Sequence, residues 1–300
     1  MKTMLVTGGT VFVSRCAAEY FARRGWQVSV LNRGTREQPA GVELIRADRH
    51  ALGERLRHRH FDAVLDVTAY TAGDVSALLD ALGGYRQYIL ISSSAVYPET
   101  TAQPFREDAA TGPNLHWGRY GTDKIAAEAT LLARDAAACI LRPPYLYGPG
   151  NNVYREAFVF DCALADRPFY LPGDGLMPLH FLHVEDLCRF AELLLERQPV
   201  RRIFNVGNPR TITVREWVTA CYAACGKEPV FVPVSPEAEQ RQYFPFHNYG
   251  YALDVSAQCA LMEDFIPFDT GLAEALRWYR SHGDAVRRKP LLEYIDCYLS

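Results

Sequence analysis

Short apolar runs alternate with helical sequence through the first half of the chain, and this alternation restricts the fold more than any single motif. Lys2 to Thr7 reads as a buried strand that turns at Gly8 into a helix from Ser14 to Arg24, stopped by Gly25. Gln27 to Leu31 reads as a second strand and Glu43 to Arg46 as a shorter third. Ala63 to Val67 and Tyr88 to Ile91 read as the fourth and fifth, each preceded by helical sequence. Tyr120 to Arg134 is a long Ala-rich helix, followed by a strand from Ala138 to Leu141. Such alternation builds an α/β fold with a doubly wound parallel sheet.

After Arg142-Pro143-Pro144 the texture changes, and Pro, Gly and aromatic residues interrupt shorter elements. Val184 to Glu196 and Thr213 to Cys225 read as helices, with Arg202 to Val206 as one more strand. The predicted organisation is a main domain over residues 1–165, joined by the returning strand near 202–206, and a smaller α/β substrate lobe over 166–300. No low-complexity linker separates the lobes, so a cleft between them is expected.

Ligands of open parallel sheets bind outside the carboxyl ends of the strands. The residues with chemistry fall there: Gly8 to Val13, Asn32-Arg33, Asp48, Thr68-Ala69-Tyr70 and Ser92 to Ser94. Thr7-Gly8-Gly9-Thr10-Val11-Phe12-Val13-Ser14 occupies the first strand-to-helix turn, where dinucleotide loops carry three glycines. On a GxxGxxG frame Gly8 keeps the first position, Val11 takes the second and Ser14 the third. Ser14 is small and suits a helix cap. Val11 puts a branched Cβ where a pyrophosphate approaches. A helix N-terminus still attracts phosphate, with Arg15 close by. The loop marks a Rossmann-like dinucleotide site in which Gly8, Thr10, Val11, Phe12 and Val13 would meet the cofactor. Asn32-Arg33 closes the second strand without the acid that favours NAD, and an arginine there accommodates a 2′-phosphate, so the reading leans to NADP over NAD. Asp48 either bonds the adenine or caps the following segment.

Tyr120 and Lys124 stand one helical turn apart, on one face. A phenol has a reference pKa near ~10, too high for efficient proton transfer at neutral pH. A neighbouring ammonium favours the phenolate, and a serine hydroxyl can hold a substrate oxygen beside it. Together these groups move a proton on and off an alcohol, and a nicotinamide cofactor would move the hydride.

These residues resemble the extended, atypical short-chain dehydrogenase/reductase family. The resemblance runs over most of the chain, through Thr7-Gly8-Gly9-Thr10, Ser92-Ser93-Ser94-Ala95-Val96-Tyr97, Tyr120 to Lys124, Leu141-Arg142-Pro143, Tyr147-Gly148-Pro149, Gly173-Asp174-Gly175 and His183 to Leu187. It implies that Tyr120 is the acid/base, that Lys124 tunes it and bonds the nicotinamide ribose, and that Ser93, or else Ser94, holds the reacting oxygen. It also places Thr68, Ala69, Tyr70 and Pro143 against the cofactor. Dehydratases of the family carry Asp-Glu where this chain has Ser94-Ala95, which argues against water elimination. Nucleotide-sugar members place an arginine where Leu179 stands, so a diphosphate would need Arg155, Arg210 or Arg241 instead. The chain is also similar to the chloroplast stem-loop-binding protein subgroup around Asn32-Arg33-Gly34, Phe204-Asn205-Val206 and Phe244-Pro245-Phe246.

Ser94, Tyr145, Asn152, His180 and His247 are the candidate substrate contacts, with Tyr147, Asn151, Tyr154, Arg155 and Tyr249 beside them. The formal net charge of -3 gives no global attraction for polyanions, and the basic run Arg55 to His60 reads as a solvated face. The histidines lack metal-binding spacing, and the eight cysteines include no CxxC pair. No apolar run is long enough to cross a membrane, and the cytoplasm is the expected compartment. Asp74 to Leu82 and Thr130 to Cys139 belong to helical regions whose counterparts form a dimer bundle in relatives; an apolar face there is equally served by burial within one chain. The expected function is an NAD(P)-dependent oxidoreductase or epimerase of a sugar-like substrate; the alternative, a loop too eroded to hold cofactor, is a catalytically weakened nucleotide-sensing or RNA-binding scaffold of the same fold.

Overall fold

The computed structural model describes residues 1–300. In chain order the elements are β1 (Thr3–Thr7), α1 (Phe12–Arg23), β2 (Gln27–Asn32), β3 (Glu43–Arg46), β4 (His60–Asp66), α2 (Ala72–Ala81), β5 (Gly84–Ile91), α3 (Arg119–Arg134), β6 (Cys139–Arg142), β7 (Tyr145–Tyr147), α4 (Glu156–Leu164), β8 (Phe169–Leu171), β9 (Pro178–Leu179) and β10 (Phe181–His183). There follow α5 (Val184–Arg197), β11 (Ile203–Asn205), β12 (Ile212–Thr213), α6 (Val214–Ala224), β13 (Phe231–Pro233), α7 (Gln240–Tyr243), α8 (Ser256–Cys259), α9 (Phe268–His282) and α10 (Leu291–Tyr298).

The chain divides into two compact units. The first comprises Met1–Pro144, Val184–Gly207 and Leu253–Asp264, and the second comprises Tyr145–His183, Asn208–Ala252 and Phe265–Ser300. A seven-stranded parallel sheet, in the order β11-β6-β5-β4-β1-β2-β3, organises the first unit. Met4, Leu5 and Val6 of β1 are all buried, as expected of a parallel strand covered on both faces. One face packs Val75 and Leu78 of α2 with Ala127 and Leu131 of α3 against Leu5, Val64 and Leu90. Successive strands run outward from β1 to β3 on one side and from β4 to β11 on the other. The order therefore switches between β1 and β4, so the loops at their carboxyl ends flank a crevice.

A buried polar network joins the strands beyond β4. Arg142 donates to both carboxylate oxygens of Glu128 on α3 at 3.0 and 2.6 Å and to the Tyr97 hydroxyl at 2.8 Å. Tyr97 in turn donates to Asn205 at the end of β11 at 2.7 Å. Each buried polar group is thereby paired, which removes the cost of leaving it unsatisfied.

Three expectations are corrected. The first helix opens at Phe12 rather than Ser14. The Ser14 hydroxyl donates to the Val11 carbonyl at 2.9 Å and so does not cap the helix. Residues 49–58 form turns rather than a helix before β4. Gly53 there has φ +54, and Arg49 is drawn inward to Asp66. The long helix does end at Arg134, as the sequence predicts, so only the first part of the Thr130 to Cys139 stretch is helical: the Asp135 carboxylate accepts the Ala137 N–H at 2.9 Å and Cys139 opens β6.

The second unit is built on aromatic packing. Phe181 stacks on Trp217 at 5.7 Å, and Phe246 meets Trp217 at 5.1 Å and Tyr145 at 4.7 Å. Gly271 lets α9 approach this layer, since a Cβ there would lie 2.7 Å from the Tyr147 hydroxyl and 2.9 Å from the His183 ring.

Candidate active site

The glycine loop leaves β1 through two left-handed residues, Gly8 and Gly9, both at φ +90. A Cβ on Gly8 would lie 2.8 Å from the Ser14 hydroxyl and 2.9 Å from Thr68 Cγ2; one on Gly9 would lie 2.5 Å from Val30. Gly9, a spacer in the sequence frame, is thus as constrained as Gly8. Phe12 is left-handed at φ +39, whereas Val11 is ordinary extended backbone and forms the N-cap of α1. No side chain caps α1 and no acid lies in its first turn, so its orphan N–H groups and dipole suit an anion.

Asn32 at the end of β2 is committed to holding this loop. Its amide donates to the Gly8 carbonyl at 2.6 Å and to Gln38 at 2.9 Å, and its oxygen accepts from the Gly34 N–H at 2.8 Å. Arg33 is exposed, and its carbonyl accepts from Arg46 at 3.2 Å. Asp48 is exposed and accepts from the His50 N–H at 2.9 Å, closing a turn. Sequence reasoning missed Thr7 and Arg49. Thr7 donates to Asp66 at 2.7 Å and accepts from the Val67 and Thr68 N–H groups at 3.0 Å, which ties the ends of β1 and β4. Arg49 pairs with buried Asp66 and donates to Thr68 at 3.1 Å. A lone arginine after a strand carries no sequence signal for such a role.

Lys124 is 2% exposed, whereas Tyr120 is 40% exposed. The Lys124 ammonium donates to the carbonyls of Ala69 and Ile91, each at 2.8 Å, and lies 4.9 Å from the Tyr70 ring and 6.0 Å from the Tyr120 ring. Burial lowers its pKa to about 8, opposed by Asp66 and Glu128, so it remains largely an ammonium at neutral pH. Tyr70 and Tyr120 are neighbours, with ring centroids 6.3 Å apart.

Ser93 is partly exposed, and its hydroxyl accepts from the Ala95 N–H at 3.1 Å at the head of a short turn. Ser94 is buried, with its N–H on the Pro143 carbonyl at 2.9 Å, while Ser92 donates to Glu128 in the buried network. Gly121 brings α3 onto this turn: a Cβ there would lie 2.3 Å from the Ala95 carbonyl oxygen. The structure therefore gathers Ser93, Tyr120 and Lys124, with Thr68, Ala69, Tyr70 and Pro143, at the carboxyl edge of the sheet.

In the second unit, Tyr145 is buried and its pKa is pushed up to about 12 by that burial. His180 is 2% exposed and bonded to the Asn208 carbonyl at 2.7 Å; burial lowers its pKa to about 4 and keeps it neutral. Asn151 donates to the Glu156 carboxylate at 3.0 Å, and Tyr154 donates to Asp161 at 2.6 Å. Asn152 accepts the Arg287 N–H at 2.9 Å, and the His247 carbonyl accepts the Tyr249 N–H at 2.7 Å. Tyr147 packs on His183 at 5.2 Å. Leu179 is buried, and Arg210 pairs with Glu216 at 3.5 Å.

The basic run is neutralised locally: Arg57 pairs with Glu54, and Arg59 with Glu43. No group of metal-ligating side chains is present, and no helix is long and apolar enough to cross a membrane.

The family model described as the NAD dependent epimerase/dehydratase family matches residues 4–207. The chloroplast stem-loop binding protein of 41 kDa b from Arabidopsis thaliana is 29% identical over 278 residues, covering 85% of this chain and 72% of that protein. The 2′-dehydrokanamycin reductase of Streptomyces kanamyceticus is 29% identical over 257 residues, covering 79% and 71%. The structure of Bordetella bronchiseptica WbmG in complex with NAD superposes with a TM-score of 0.75 at 20% identity, covering 95% of each chain.

Proposed function

The chain belongs to the NAD dependent epimerase/dehydratase family, and from that premise we propose that it is an NAD(P)-dependent oxidoreductase or epimerase. It acts at a hydroxyl or carbonyl carbon of a sugar-like substrate. The observation that carries this reading is the pairing of an accessible phenol, Tyr120, with the enclosed ammonium of Lys124 one turn away. The relatives support it, since one is named as a reductase and a solved neighbour holds NAD.

The residues at the head of α1 fit a dinucleotide, because two left-handed glycines precede a helix N-terminus without a side-chain cap. Backbone groups of Thr10, Val11, Phe12 and Val13 would hold the pyrophosphate, and Arg33 the adenosine end, where its charge favours a 2′-phosphate. When bound, the nicotinamide supplies or accepts the hydride. Ser93 holds the reacting oxygen. Tyr120 removes the alcohol proton during oxidation and returns one during reduction. Lys124 lowers the cost of the phenolate through its charge. Ser94-Ala95 provides no carboxylate for water elimination, so dehydration is not part of the reading. A homodimer through α2 and α3 belongs to the same proposal.

Fluorescence titration with NADH and NADPH, followed by turnover of keto-sugars with wild type and Tyr120→Phe, tests it. At least one dinucleotide binds saturably, and the substitution lowers turnover about 10²–10⁴-fold while affinity for the dinucleotide stays within a few-fold. No binding of either at millimolar concentration, or unchanged turnover, sinks the proposal.

A further inference from the structure

Helices α1 and α5 bring together two sulfurs that the proposed mechanism does not use. Cys188 on α5 donates its S–H to the Cys16 sulfur on α1 across 3.9 Å, although the two residues are 172 positions apart in the chain. Both helices belong to the first unit. The contact is held from several sides. Four residues further along each helix, Tyr20 donates to Glu192 at 2.6 Å, and Arg24 pairs with Glu192 at 3.0 Å. Arg23 reaches Glu185 at 3.4 Å. Each cysteine is the fifth residue of its helix, counted from Phe12 and Val184, so the sulfurs meet just behind the two helix heads.

Cys188 is buried, whereas Cys16 is only partly so. A reagent from solvent therefore reaches Cys16 first, with Cys188 already in place behind it. The hydrogen bond to Cys16 first, and then burial, hold the Cys188 thiol well above its usual pKa, so it stays protonated while Cys16 is free. A disulfide needs about 2.05 Å between its sulfurs, so the pair must close by roughly 1.9 Å from its 3.9 Å contact. The head of α1 has little slack for that movement. A Cβ on Gly9 would lie 2.5 Å from Val30, and Ser14 is tied to the Val11 carbonyl at 2.9 Å.

We infer that Cys16 and Cys188 are a thiol–disulfide site, oxidised by small-molecule disulfides, whose bond draws α1 onto α5 and weakens dinucleotide binding at the α1 terminus. The site stands on the sulfur geometry; its effect on binding rests on the proposed function. The Cys16 thiol loses its proton, and the thiolate attacks one sulfur of the small disulfide. A mixed disulfide forms on Cys16 and one thiolate leaves. The Cys188 thiol then loses its proton, and its sulfur attacks the Cys16 sulfur, forming the Cys16–Cys188 bond and expelling the second thiolate. The two released thiolates take up the two protons. Two protein thiols are thereby oxidised and one small disulfide is reduced to two thiols, which an excess of thiol reverses.

The reduced full chain is treated with glutathione disulfide, and its peptides are mapped by mass spectrometry before and after dithiothreitol. In the wild type a peptide pair joined through Cys16 and Cys188 appears, and the reductant removes it. In Cys188→Ser the reaction stops at glutathione on Cys16, because no second sulfur resolves it. Oxidation weakens NADH binding by the wild type about three- to tenfold and dithiothreitol restores it. Cys16→Ser, which still exposes Cys297, shows no such change. Absence of the joined peptide overturns the site. A joined peptide with unchanged NADH affinity overturns its effect on the α1 terminus. If the reduced chain binds no NADH, the dinucleotide reading has failed, and the site is judged by the joined peptide together with urea unfolding. A bond spanning this much chain then raises the midpoint of the oxidised wild type above that of the reduced; equal midpoints overturn the closure of α1 onto α5.

Discussion

At the scale of single residues, Gly121 stands between Tyr120 and Lys124 on α3. Inside the motif it is a spacer, and its role depends on the Ala95 carbonyl, a partner far away in sequence. A Cβ at this position would lie 2.3 Å from that oxygen, and backbone cannot step aside as a flexible side chain can. Gly121→Ala should therefore push α3 away from the Ser93 turn. Crowding of this kind costs about 1–3 kcal/mol. Turnover should fall more than stability suggests, by about 10²-fold, because a displacement near 1 Å spoils the alignment of hydroxyl and phenol. Urea unfolding and turnover measured on the same preparation check this. Wild-type stability with wild-type turnover would show that the close approach is not required. Lys124 adds a second lesson. Its partners are the Ala69 and Ile91 carbonyls, which any residue types supply, so composition could not reveal how the ammonium is held.

At the scale of elements, the strand-and-helix alternation was readable because a buried parallel strand leaves a continuous apolar run. Boundaries shifted where the deciding contact is tertiary, as at residues 49–58, where Arg49 turns inward to Asp66. The glycine loop was read with a frame that gave Gly8, Val11 and Ser14 the important positions. In the structure the two tight positions are Gly8 and Gly9, and Val11 has extended φ and ψ of -136 and 132. Val11 is thus unstrained, and any penalty it imposes is steric and falls on the ligand. Two substitutions should act in opposite directions. Val11→Gly removes the branched Cβ from an N-cap that glycine tolerates, and tightens NADH or NADPH binding roughly three- to tenfold. Gly8→Ala places a methyl against Ser14 and Thr68 at φ +90, and weakens binding by at least about tenfold. Fluorescence titration of both variants decides; if Val11→Gly binds no better than wild type, the valine does not obstruct the pyrophosphate.

At the scale of the whole molecule, each compact unit is assembled from separated stretches of chain. Residues 1–144 contain six of the sheet's strands, and α5 and β11 return to the same unit from beyond the second unit's first segment. Leu187, Phe190, Leu194 and Leu195 of α5 are buried. Tyr20 on α1 donates to Glu192 of α5 at 2.6 Å, and Arg24 joins it at 3.0 Å. Asn205 of β11 accepts the Tyr97 hydroxyl at 2.7 Å and donates to the Phe105 carbonyl at 2.8 Å. Burying four large apolar side chains is worth roughly 6–12 kcal/mol at about 1.5–3 kcal/mol each. The entire stability of an ordinary domain is about 5–15 kcal/mol. A fragment ending at Pro144 would also expose the edge of β6 and leave Tyr97 and Arg142 short of a partner. It should therefore give no cooperative urea transition and bind no dinucleotide, although it contains Gly8, Ser93, Tyr120 and Lys124. Circular dichroism during urea titration, with NADH fluorescence on the same fragment, measures both. A sigmoidal transition with retained binding would mean that α5 and β11 are dispensable, and that the sheet's edge is stabilised by the strands before it.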